Sequence, residues 1–145
     1  MMIITNDELR IINGDSKESA LRKMIDFLFK REVLENPAVF FTEVMEREKL
    51  SNTHIGSGVV LVHTIAETVK KEGIYLFHLN QPLQDWYFDE KHPIRVIVLY
   101  AINSMQSENL IYFRKFSAKC GEDEFLQQLA DKCLTVKTIE EMITN

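Results

Sequence analysis

The residues whose types and spacing suit chemistry lie between Glu46 and His63, in the run Glu-Arg-Glu-Lys-Leu-Ser-Asn-Thr-His-Ile-Gly-Ser-Gly-Val-Val-Leu-Val-His. His63 ends a β-branched stretch, where a strand can hold an imidazole rigidly and still expose one nitrogen. With an unperturbed pKa of about 6.5, a neutral ring nitrogen is nucleophilic near neutral pH and suits phosphoryl transfer. A backbone carbonyl accepting from the other nitrogen would fix the tautomer. Arg47 offers a forked set of donors for phosphoryl oxygens. Thr53 adds a hydroxyl that suits either a phosphoryl oxygen or a turn. A hydrogen-bonded core histidine is the competing reading of position 63.

Other candidates carry less. Gly56-Ser57-Gly58 resembles a fragment of a phosphate loop, but it precedes a strand and no Gly-Lys-Ser follows, so its glycines read as turn residues. His54, His78 and His92 lack metal-ligand spacing, and His78 falls within a predicted strand as a structural residue. Cys120 and Cys133 form no Cys-x-x-Cys pair and read as reduced thiols, most simply buried apolar fillers. Trp86 reads as core or as an edge of the site. Glu122-Asp123-Glu124 suits the first turn of a helix, where the dipole favours negative charge.

The elements that must position these residues follow from pattern and punctuation. Ile3, Ile4, Leu9, Ile11 and Ile12 suggest a first strand, closed by Asn13-Gly14. Asp15 or Ser16 can cap a helix in which Glu18 completes a capping box and Leu21, Met24, Ile25 and Leu28 form the buried stripe. Asn36-Pro37 starts a second helix, with Phe40, Phe41, Val44 and Met45 on its apolar face, running to about Lys49. Strands are expected at Gly58 to Thr64, Ile74 to Leu79 and Ile94 to Ile102, with a turn-rich stretch from Gln81 to Pro93. The last strand is apolar on both faces and reads as central. Three helices close the chain: one from near Ser107 to Gly121 on Leu110, Phe113, Phe116 and Ser117, one on Phe125, Leu126, Leu129 and Ala130, and one on Val136, Ile139, Met142 and Ile143. This order predicts an α+β protein, a three-layer α/β/α sandwich whose mixed sheet is covered by helices on both faces.

The 145 residues fit a single domain, 1–145, with 46% hydrophobic and 27% charged residues. A net charge of -5 with interspersed signs argues against nucleic acid as a partner. The apolar runs fall far short of the roughly 20 residues of a membrane span, so no membrane insertion and a cytoplasmic location are expected.

Arg47-Glu48, the Thr53-x-Ile55-Gly56-x-Gly58 turn and the apolar run ending at His63 resemble the signature of the mannitol/fructose-type enzyme IIA domains of the bacterial phosphoenolpyruvate-dependent sugar phosphotransferase system. The likeness extends through Asp85-Trp86, the Val96 to Ala101 strand and Glu108-x-Leu110. It implies a phosphocarrier, in which His63 accepts a phosphoryl group from HPr and passes it to an enzyme IIB partner for sugar uptake. Arg47 is then the phosphate-binding neighbour, Thr53 and Asn109 are supporting groups, and neither metal nor organic cofactor is needed. The family usually has proline before the active histidine and a second histidine opening the helix after the central strand. Here Val62 and Asn109 stand in those places, and an asparagine amide can donate a hydrogen bond without becoming cationic. The alternative is a diverged enzyme IIA-like binding or regulatory module that senses phosphotransferase status.

Overall fold

The computed structural model describes residues 11–12, 16–50, 52–86, 93–131 and 133–144. Ile3, Ile4, Leu9, Asn13, Gly14 and His92 lie outside them. The elements in chain order are β1 (Ile11–Ile12), α1 (Lys17–Lys30), α2 (Pro37–Glu48), β2 (His54–Gly56), β3 (Val59–Ile65), β4 (Gly73–Leu83), β5 (Ile94–Ile102), α3 (Leu110–Lys119), α4 (Asp123–Ala130) and α5 (Val136–Thr144).

The sheet has the order β1-β4-β5-β3-β2. β5 is its middle strand, pairing parallel with β3 and antiparallel with β4, with Val98 opposite Leu61 on one side and Leu76 on the other. Because side chains alternate along a strand, the two faces collect separate cores. Val60, Val62, Tyr75, Phe77, Ile97, Leu99 and Ala101 pack with Leu21, Met24, Leu28, Phe40 and Val44 of α1 and α2. Val59, Ile74, Leu76, Val96, Val98 and Ile102 pack with Phe113, Phe116, Phe125, Leu129, Ile139 and Ile143 of α3 to α5. The result is the three-layer arrangement expected from the order of elements.

Local chemistry explains the helix starts. Ser16 caps α1 by accepting from the Ser19 amide at 3.0 Å, and Asn36 caps α2 by accepting from Val39 at 3.3 Å, with Pro37 opening the helix. With Ser16 as the cap, Glu18 stands one position short of the capping-box place and pairs instead with Arg22 at 3.7 Å. Cys120 is buried as expected, but Cys133 is exposed, because α4 ends before it and turns it away from the core. β4 continues to Leu83, four residues past the predicted Leu79, since after a register shift Leu83 pairs again with Ile94. Gln81 to Leu83 therefore belong to the sheet.

Candidate functional site

The end of α2 and the edge of β3 make the site together. Arg47 lies in the last turn of α2, where the helix dipole favours a cation. Beyond the helix the chain returns along β3, and the Leu61 amide donates to the Thr53 carbonyl at 2.9 Å. Among the described residues β2 pairs with β3 at Val59 and Val60, and on its other side β3 pairs His63 with Tyr100 of β5. The hairpin between them turns on Gly56, Ser57 and Gly58, all with positive φ. A Cβ at Gly58 would stand 2.7 Å from the Pro93 carbonyl oxygen, which is why glycine is required there. The Gly58 amide donates to His54 Nε2 at 3.1 Å and closes the turn.

His63, Arg47, Glu48, Leu50 and Thr53 line one cleft of about 170 Å³. His63 Nδ1 is buried and has no hydrogen-bond partner among the described residues, so none of them supplies the carbonyl expected to fix the tautomer. With Nδ1 enclosed, Nε2 is the nitrogen left to face the cleft. Burial, and after it the Arg47 guanidinium, hold the imidazole below its ordinary value of 6.5, while the Glu48 carboxylate pulls the other way. The ring is therefore kept neutral, the form with a nucleophilic lone pair.

Glu48 entered the sequence reading only as part of the Arg47-Glu48 signature, with no role of its own. It is only 5% exposed, and its Oε1 receives the Lys17 ammonium at 2.9 Å and the Thr53 hydroxyl at 2.9 Å. Trp86 Nε1–H donates to the Thr53 oxygen at 3.2 Å, and the Lys17 ammonium lies 4.7 Å above the Trp86 ring. The backbone amide of Lys17 donates to the Asp85 carboxylate at 3.1 and 3.2 Å. A buried carboxylate needs such a set of donors. The Thr53 hydroxyl hydrogen is thus committed to Glu48, which makes Thr53 a brace for the cleft wall. The sequence signature already held Glu48, Thr53 and Asp85-Trp86, but not Lys17, the cation that joins them.

Asn109 is not among the residues lining this cleft. Its Nδ2 donates to Glu72 Oε1 at 2.8 Å, and Glu72 also accepts from the Asn103 amide at 2.8 Å and from the Ser107 hydroxyl. These hydrogen bonds hold the Glu72 carboxyl below its ordinary value against the opposing effect of burial. His78 is buried in β4 with Nε2 3.1 Å from the Leu129 carbonyl, in keeping with a structural role. Among the described residues, no group of three or more His, Cys, Asp or Glu side chains could hold a metal ion, and no helix is long and apolar enough to cross a membrane.

Residues 2–145 match the family model described as phosphoenolpyruvate-dependent sugar phosphotransferase system, EIIA 2. No curated protein matches the chain in sequence. Among solved structures, the nitrogen regulatory protein IIA-Ntr from Neisseria meningitidis is similar at 20% identity and a TM-score of 0.74, over 97% of this chain and 96% of that one. The mannitol IIA of Escherichia coli is similar at 20% identity and a TM-score of 0.67, over 94% and 96%. The mannitol enzyme IIA of Escherichia coli in complex with phosphorylated enzyme IIB gives 17% identity and a TM-score of 0.69, over 98% and 99%. At these identities the likeness is one of fold.

Proposed function

The chain belongs to the EIIA 2 family of the phosphoenolpyruvate-dependent sugar phosphotransferase system, and from that premise we propose that it is a cytoplasmic phosphocarrier that takes a phosphoryl group from HPr onto His63 and passes it to an enzyme IIB. The observation that carries the reading is the shared cleft of Arg47 and His63, with Nδ1 enclosed and Nε2 left as the nucleophile. The Nε2 lone pair attacks phosphorus as the bond from phosphorus to the donor's nitrogen breaks, and the ring proton resides on Nδ1. The second step reverses these roles, with the bond from phosphorus to Nε2 broken as the acceptor side chain forms its own. Little covalent chemistry is asked of the protein, so catalysis is positioning and charge stabilisation. Arg47 supplies the charge, and the Glu48 and Thr53 network fixes the wall from which Arg47 projects.

The test is to incubate the chain with phosphoenolpyruvate, enzyme I and HPr and to measure its intact mass. One acid-labile phosphoryl group is expected, absent in His63→Ala. An unlabelled chain, beside a labelled enzyme IIA control, would refute the carrier role. A second reading, a module that senses phosphotransferase status, draws on Asn109. Its amide is held by Glu72 outside the cleft, so Arg47 lacks the second donor that the family usually supplies there. In that case His63→Ala would leave partner binding intact.

A further inference from the structure

Glu48 stands where elementary electrostatics disfavour a carboxylate. It is the last residue of α2, at the negative end of the helix dipole, and it is buried. Both circumstances oppose a negative charge, and its bonding partners answer them. The Lys17 ammonium and the Thr53 hydroxyl both meet Oε1 at 2.9 Å, and each bond is strongest to an ionised oxygen. The chain thus keeps a negative charge in the wall of the cleft that holds His63 and Arg47. A well-packed apolar pair would join α1 to α2 at least as firmly as a buried ion pair does, so stability alone gives no reason for the charge. Departures of this kind from local rules gather at functional sites. Among the described residues, Arg47 and Glu48 are the two charges that act on the His63 ring, and they act in opposite directions.

We propose that the Glu48 carboxylate limits how firmly the site holds the phosphoryl group on His63, and so keeps that group transferable. The inference rests on the phosphocarrier reading and deepens it. In uptake from a donor that carries the group on nitrogen, the donor's bond from phosphorus to nitrogen breaks and leaves its electron pair on the donor. A bond from phosphorus to Nε2 forms from the Nε2 lone pair, while the His63 proton stays on Nδ1. Nothing is oxidised or reduced, and the bonds broken and made are alike. The balance of the exchange is therefore set by what surrounds each ring. Arg47 attracts the arriving dianion, and a cleft with that cation alone would retain it. Glu48 repels the same dianion from the wall of the same cleft. Lys17 and Thr53 fix the carboxylate in that wall, so its charge acts from a constant position during loading and discharge.

The experiment mixes phosphorylated HPr with the wild type, Glu48→Gln, Glu48→Asp and the double variant Lys17→Met with Glu48→Gln. Intact mass reads how the phosphoryl group divides between the two proteins at equilibrium. Glutamine keeps the shape of the side chain and can still accept from Thr53, whereas aspartate keeps the charge and loses the reach. For Glu48→Gln the balance is expected to move about tenfold toward the phosphorylated chain. An NMR titration of the unphosphorylated variant should place the His63 midpoint below that of the wild type, since the charge that raises it is gone. Glu48→Asp stays within about threefold of the wild-type balance. The double variant leaves no ammonium unpaired, shifts in the same direction as Glu48→Gln, and carries the test if urea unfolding shows that Glu48→Gln does not fold. A balance that Glu48→Gln leaves unmoved, or moves toward HPr, overturns the proposal. So does a larger departure in Glu48→Asp than in Glu48→Gln, the pattern of a brace that works by shape. If only the small molecule phosphoramidate labels the wild type, the same comparison and the same outcomes apply with that donor. If neither donor labels it, the phosphocarrier reading fails and the proposal with it.

Discussion

Replacing Arg47 by glutamine removes one of the two causes that hold the His63 imidazole below 6.5. The sign of the consequence is fixed. A depressed pKa keeps the ring neutral and competent at neutral pH, and uptake falls as the pH drops through the folded-state value. Arg47→Gln moves that value up, so the fall begins at a higher pH, and an NMR titration of His63 together with the pH profile of labelling would record both. The rate at neutral pH is expected to drop about 100-fold, the scale for removing one donor to a developing anion. At this scale much was legible. Arg47, Thr53 and His63 could be singled out because each residue type has its own chemistry, and they do meet in one cleft. The pairing of Glu48 with Lys17 gave no such signal, because a buried ion pair between two helices depends on contacts remote in sequence. The engagement of Asn109 with Glu72 was hidden for the same reason.

Between elements, the Lys17 to Glu48 pair ties the start of α1 to the end of α2 beside the reactive histidine. Lys17→Met leaves a carboxylate that is nearly fully buried without its cation. The expected cost is about 3 kcal/mol of stability, read from the midpoint of urea unfolding at unchanged slope. Helix positions were legible from the 3.6-residue period and from caps, as in Asn36-Pro37 and in the stripe from Leu21 to Leu28. β5 was legible because a strand buried on both faces reads as an unbroken apolar run. The far half of β4 was not. Asn80, Gln81 and Pro82 are polar or turn-forming and exposed, and only the pairing of Leu83 with Ile94 brings them into the sheet. Met142, predicted on the apolar face of α5, is partly exposed, since Ile139 and Ile143 already fill the contact with α3.

Across the whole molecule, one sheet separates two cores that meet only through its strands. Phe116, fully buried and stacked edge-on against Tyr100 and Phe125, is central to the second. Phe116→Ala is expected to cost about 4 kcal/mol, measurable by chemical denaturation. Layering could be read from the order of helices and strands, but strand order could not, because the parallel pairing of β3 with β5 joins segments between which β4 intervenes. The reactive centre contrasts with that long-range frame. Arg47, Glu48, Leu50, Thr53 and His63 all come from one short stretch, and Lys17 and Trp86 only brace it from outside. A stretch of this kind is heritable as a cassette: a single recombination event between relatives would move nucleophile and anion clamp together. The surrounding surface would then be free to drift toward new partners without the chemistry having to be invented again.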